Sequence, residues 1–292
     1  MMSLRARYPL FIALAPLQAL GADLGSGLWR DYTVYAPLPT NQSAASAEGW
    51  QADFQECDPK LGIRFSQGAA GGPTKDKPIS LYFTPGGQLA GVGTIAHGQF
   101  DEASAPVAQG YWKRTNTTDE WRIDVTFRGA DAVCAENASS PGLLGDRAVI
   151  NADTVARALP MRQEDAIEEH YATGACFASM GTHSFFDLVG GGNMTWATNN
   201  LMPVVPMYDR SADWRLNAVF FNAPFVQQSM RPPSSNQWEP IPMASFTMCK
   251  NFCDAECGWN DEKSWSTMHI YFSDPRAVVC EDNCTASCCE SG

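Results

Sequence analysis

The chain predicts a mainly β, antiparallel fold, a sandwich or a barrel open to division into two related halves, with one short helix and a Cys-rich C-terminal tail. Three observations carry this. Short segments alternate apolar and polar residues with period two, Gly, Pro, Asn and Asp bound them, and one type of apolar-aromatic run recurs. That run is Ile79-Ser80-Leu81-Tyr82-Phe83-Thr84-Pro85, echoed from Leu216 to Pro224 and from Met268 to Pro275. No fixed period joins the three, so the echo suits related halves or merely similar strands.

In chain order, residues 1–21 come first. Arg5 and Arg7 precede an apolar run from Leu10 to Leu20 and then small residues, the three-part build of a secretory signal cut after Gly21. The run is too short for a permanent anchor. No later stretch approaches the roughly 20 apolar residues of a membrane helix, so no membrane span is expected. A β-rich half is expected over 22–150, with strands at 61–66, 79–84, 88–95 and 148–150. Its clearest element is a hairpin of 110–114 and 120–128: Ile123, Val125 and Phe127 point one way, Arg122, Asp124 and Thr126 the other, and the polar link 115–119 makes the turn. Residues 136–142 are turn-rich and mark a boundary. A second β-rich half is expected over 151–279, with strands at 183–188, 216–222, 244–248, 268–273 and 277–280. Its one helix, 161–171, is rich in Glu, Gln and Ala, and Gly174 is the expected stop. The tail, 280–292, is small, polar and dense in cysteine.

All 10 cysteines lie after the leader, and an even number in an exported chain reads as paired. Cys249, Cys253 and Cys257 match the spacing of Cys280, Cys284 and Cys288, which suggests two segments stapled together; a zinc cluster is the alternative. Cys288 and Cys289 are adjacent and are expected to take different partners. Acceptor tripeptides for N-linked glycans stand at Asn41, Asn116, Asn137, Asn193 and Asn283, Asn116 in the expected hairpin tip. The formal net charge is −12, and removing a leader that holds Arg5, Arg7 and no acid makes the chain more acidic still. Such a surface disfavours phosphate backbones and anionic membranes, so no nucleic-acid partner is expected.

The chain lacks a Gly-x-Ser-x-Gly elbow, a His-Glu-x-x-His pair, a phosphate-binding Gly-rich loop with Lys and a dinucleotide fingerprint. The 4 histidines therefore draw the attention. His170 sits in the Glu-rich helix and His97 beside Gly98, in helical and turn settings. His183 and His269 each head an expected strand followed by aromatic residues and an acid. Residues two apart on a strand share a face, so His183, Phe185 and Asp187 point together, as do His269, Tyr271 and Ser273. Two imidazoles and a carboxylate can make a three-ligand metal site from His183, His269 and Asp187, or a base with an orienting acid, with Tyr271 as a further catalytic group. A divalent metal, zinc or copper, is the cofactor so implied; Met180, Met202, Met207 and Met268 lean towards copper, although Met beside aromatics also fills cores. The competing reading of each histidine is a buried imidazole hydrogen-bonded to fix its sheet.

The segment from Cys176 through Met180-Gly181-Thr182-His183 to Pro203-Val204-Val205-Pro206-Met207-Tyr208 and Phe220-Phe221 resembles a poorly characterised family of secreted β-rich domains with a Cys, Met-Gly-x-His core and a Pro-Met strand. The resemblance covers 170–275, implies a β-rich exported domain and brings no activity. The Cys-rich tail departs from that pattern.

The expected function is that of a secreted glycoprotein whose His, Asp and aromatic pocket binds a small molecule, with or without catalysing its conversion. The alternative is a noncatalytic extracellular protein that binds carbohydrate or protein through Trp196, Trp214, Trp238 and Trp259.

Overall fold

The structure, a computed structural model, describes residues 28–30, 35–68, 72–117, 119–135, 143–154, 156–191, 197, 199–224, 238–242 and 264–280. The expected leader, the strand at 244–248, the cysteines from 249 to 257 and from 284 to 289, and Asn137, Asn193 and Asn283 lie outside these residues, as do Trp196 and Trp259.

In chain order the elements are β1 (Leu28–Arg30), β2 (Ala36–Leu38), α1 (Gln42–Ala47), β3 (Gln51–Ala52), β4 (Ile63–Ser66), β5 (Ile79–Phe83), β6 (Leu89–His97) and α2 (Ala105–Ala108). Then come β7 (Lys113–Arg114), β8 (Glu120–Thr126), α3 (Ala130–Val133), β9 (Ala148–Ile150), β10 (Arg157–Leu159) and α4 (Gln163–Glu168). The last are β11 (Ala172–Phe177), β12 (Gly181–Phe185), β13 (Val204–Asp209), β14 (Arg215–Ala223), β15 (Glu239–Pro242) and β16 (Ser264–Tyr271).

The strands form two antiparallel sheets. The first runs β10-β9-β8-β6-β5-β4-β3, with β7 also on β8; the second runs β11-β12-β13-β14-β16-β1-β2, with β15 also on β16. They share one core, so the architecture is a sandwich. Phe65, Leu81, Val92, Ile123, Val125 and Phe127 of the first sheet meet Val204, Val219, Phe221, Met268, Ile270 and Phe272 of the second. Phe127 and Phe272 touch edge to face at 5.2 Å. Two indoles tie the sheets: Trp112 Nε1 donates to Asn222 O at 2.9 Å and Trp238 Nε1 to Ile95 O at 3.0 Å, satisfying the polar end of each buried ring.

The sheets do not divide at residue 150, since β10, which lies beyond it, belongs to the first sheet. The first sheet is drawn from residues 51–159, while β1 and β2 cross over to join the second. The recurring apolar-aromatic runs are β5, β14 and β16. Every residue of β5 is buried, as is every residue of β14 after Arg215, so these strands are covered on both faces and read as almost unbroken apolar runs.

Several elements differ from expectation. Among the described residues there are four short α-helices, and the one foreseen at 161–171 is only Gln163–Glu168. It ends where His170 takes a left-handed conformation (φ 66), with His170 N–H donating to Ile167 O and Tyr171 N–H to Ala166 O. That is a capping motif that glycine usually occupies; Tyr171 is anchored in the core and sets it. Gly174 is no stop. It lies in β11, where a Cβ would meet the ring of Phe185 at 2.7 Å. Of 110–114 only Lys113 and Arg114 are strand, because the Tyr111 and Trp112 amides donate to Pro106 O. No strand forms at 277–280: Asp274 caps a turn at Pro275–Ala277. His97 is the last residue of β6, opposite Glu120, and not in a turn.

Two disulfides join described cysteines, Cys57–Cys134 and Cys176–Cys280. The second corrects the expected staple at Cys280, which bonds to β11 and not to the run at 249–257. Spacing along the chain carries no information about a partner brought close by a sheet. Among the described residues no helix is long and apolar enough to cross a membrane.

Candidate functional site

The second sheet has two buried faces. One lies against the first sheet. The other carries its own cluster: Phe185 from β12, Val205 and Met207 from β13, Ala218 and Phe220 from β14, and Tyr271 from β16, with Leu201 and the partly buried Tyr35, Phe177 and Met180. Strand alternation and register place the site residues here. His183 pairs with Met207, Met207 with Ala218, Ala218 with Tyr271, and Phe220 with His269.

Phe220 is the hub. Its ring lies 5.7 Å from that of His183 and 5.4 Å from that of His269, centroid to centroid. Phe177 meets His183 edge to face at 5.2 Å, Phe185 stacks near His183 at 6.1 Å, and Tyr271 stacks near His269 at 6.0 Å. Tyr35 closes on Tyr271 at 5.7 Å. His183, His269, Phe220 and Tyr271 are each 0% exposed. The structure thus brings the two histidines and Tyr271 onto one face, with a phenyl ring between the imidazoles.

Asp187 lies two residues beyond the end of β12. Its Oδ1 accepts the amides of Val189 and Gly190 at 2.8 and 2.6 Å, fixing the turn that follows the strand. Among the described residues no group of three or more His, Cys, Asp or Glu is close enough to hold a metal ion.

Two residues that sequence reasoning passed over belong to this face. Asn222 follows Phe220 by two positions on β14, and Thr267 precedes His269 by two on β16; the register sets them opposite each other. Both are 0% exposed. Among the described residues neither end of the Asn222 carboxamide nor the Thr267 hydroxyl has a hydrogen-bond partner. Each such buried group costs roughly 1–3 kcal/mol when left unpaired. The available signal was an asparagine inside the run Val219-Phe220-Phe221-Asn222-Ala223, where a strand buried on both faces calls for an apolar residue.

The first sheet carries a second buried polar group on its own outer face. Tyr82 Oη donates to Asp124 Oδ1 at 2.5 Å, and Arg122 Nε pairs with Asp124 Oδ2 at 2.9 Å. Burial, then the charge of Asp124, pushes the Tyr82 hydroxyl well above its ordinary pKa, so it stays a protonated donor. Asp124 pushes the Arg122 guanidinium up. Gly93 leaves the room: a Cβ there would collide with Asp124 Oδ1 and approach Tyr82 Cε2 to 3.2 Å. Of the four indoles of the alternative reading, Trp214 and Trp238 are among the described residues. Trp238 is buried, and Trp214 is partly buried against the core.

His170 is exposed beyond α4. His97 lies 3.4 Å from Glu120, yet burial, the larger effect, lowers its pKa. Comparison with protein-family models, with curated proteins and with solved structures finds no match to this chain.

Proposed function

We propose that this is an extracellular, noncatalytic binding protein that holds a small uncharged molecule, carbohydrate included, on the outer face of its second sheet. The observation that carries the reading is the gathering of His183, His269, Tyr271, Asn222 and Thr267 around Phe220, on a face turned away from the sandwich core. A face that served packing alone would be more stable with apolar residues at 222 and 267. Phe220 offers a flat apolar surface, and Asn222 and Thr267 offer uncharged donors and acceptors. Because the layer is closed to solvent, a molecule enters only when it opens, and association falls below the usual ~10⁵–10⁷ M⁻¹ s⁻¹. In the same reading the chain is exported, residues 1–21 are removed and acceptor asparagines are glycosylated; two disulfides among the described residues support that compartment.

The test is a thermal-shift screen of uncharged and charged small molecules, with native mass spectrometry of protein purified without denaturant. An uncharged compound that stabilises the wild type but neither Asn222→Ala nor His269→Ala is the expected result. No retained mass and no stabilising compound, with the variants folded, would remove the reading.

A further inference from the structure

We propose that Asn116 carries an N-linked oligosaccharide. The inference rests on the export reading above and deepens it by assigning one acceptor atom. Asn116-Thr117-Thr118 is an acceptor tripeptide. The structure places Asn116, exposed, in the link between β7 and β8, where Thr115 N–H donates to Glu120 O at 3.0 Å and closes the hairpin. The Thr115 and Thr117 hydroxyls bond to each other at 3.0 Å. Among the described residues no hydrogen bond engages the Asn116 carboxamide, and the residue is exposed. The acceptor at Asn41 differs: its Oδ1 takes the Ala44 amide at 2.9 Å, which holds the side chain at the start of α1.

Two further features agree. The disulfides belong to the oxidising compartment in which such glycans are added. Strand β7 pairs with β8 alone among the described residues, which leaves a free edge beside the hairpin tip. A hydrated glycan there covers an edge that would otherwise recruit another strand.

The step is a glycosyl transfer. Asn116 Nδ2 forms a bond to the anomeric carbon of an oligosaccharide carried on a lipid pyrophosphate. The bond from that carbon to the pyrophosphate oxygen breaks, and the proton lost from Nδ2 leaves with the lipid pyrophosphate and solvent. Nothing is oxidised or reduced.

Cleavage after Arg114 and after Arg122 releases residues 115–122, a peptide with Asn116 as its single acceptor. The full chain is expressed in a eukaryotic secretory host, deglycosylated enzymatically in ¹⁸O water and digested with trypsin. Asn116 should be recovered mostly as labelled Asp, and both Asn116→Gln and Thr118→Ala should remove one glycan from the secreted protein. Recovery of unmodified 115–122 from secreted, disulfide-bonded protein would overturn the assignment. Failure of the chain to leave the cell is a failure of the export reading; the same chain behind the host's own leader then tests Asn116 alone, with the same two results deciding.

Discussion

Phe220 and His269 sit directly opposite each other across the β14–β16 pair, with ring centroids 5.4 Å apart, and the Phe220 ring also lies against His183. One phenyl group thus supports both imidazoles. Phe220→Ala should lower the unfolding free energy by about 3–5 kcal/mol, since it opens a cavity under two rings. Urea denaturation measures it. A loss under about 1 kcal/mol would show that the layer is not packed as described.

Tyr82→Phe removes the donor from Asp124 Oδ1 while keeping the ring. Stability should fall by about 1–3 kcal/mol, because a buried carboxylate oxygen loses its partner. Gly93→Ala reaches the same network from its other side, by forcing Asp124 aside. The two substitutions should therefore be less than additive in a double-mutant cycle; full additivity would place Gly93 outside the network.

His97 gives a pH dependence of known sign. Burial lowers its pKa from 6.5, so the unfolded chain binds its proton more readily than the folded one. Stability should fall as pH drops through about 6.5 and level off below the folded pKa. His97→Gln should flatten that part of the profile, as measured by denaturation between pH 8 and 5. An unchanged slope would assign the dependence to other groups.

The Cys57–Cys134 bridge ties residues 77 apart in sequence and anchors the segment before β4 to α3. Replacing both cysteines with serine should cost about 2–5 kcal/mol. The Cys176–Cys280 pair, 104 apart, should cost a comparable amount. Peptide mapping without reduction should recover both bridges; Cys280 joined to any other cysteine would revise the pairing.

Much of the fold was legible because it is local. The alternation from Ile123 to Phe127 reports one buried face directly, and the hairpin at 113–122 follows from its polar link. The grouping of His183 with Phe185, and of His269 with Tyr271, needed only period two. What remained hidden depends on register between strands far apart in sequence. Asn222 meets Thr267, and Tyr82 meets Asp124, only once the sheets are formed. The helix end is hidden in the sequence because a histidine fills a position where glycine is the usual sign, and Gly174 serves instead to admit the Phe185 ring. The bridge from Cys280 to Cys176 was masked by a matching pattern of spacings nearby.

The placement of β1 also bears on when this chain can fold. β16 is flanked on one side by β14 and on the other by β15 and then β1, so the earliest described strand needs one of the last as its neighbour. During synthesis the first sheet can close once β10 has emerged, whereas the second waits for nearly the whole chain. Until then β14 presents a long apolar edge, the kind of surface that chaperones cover and that aggregates when release is premature. Nascent chains arrested before residue 264 should accordingly hold a protected first sheet and an open second one, and the order in which the two become protease-resistant follows from the topology alone.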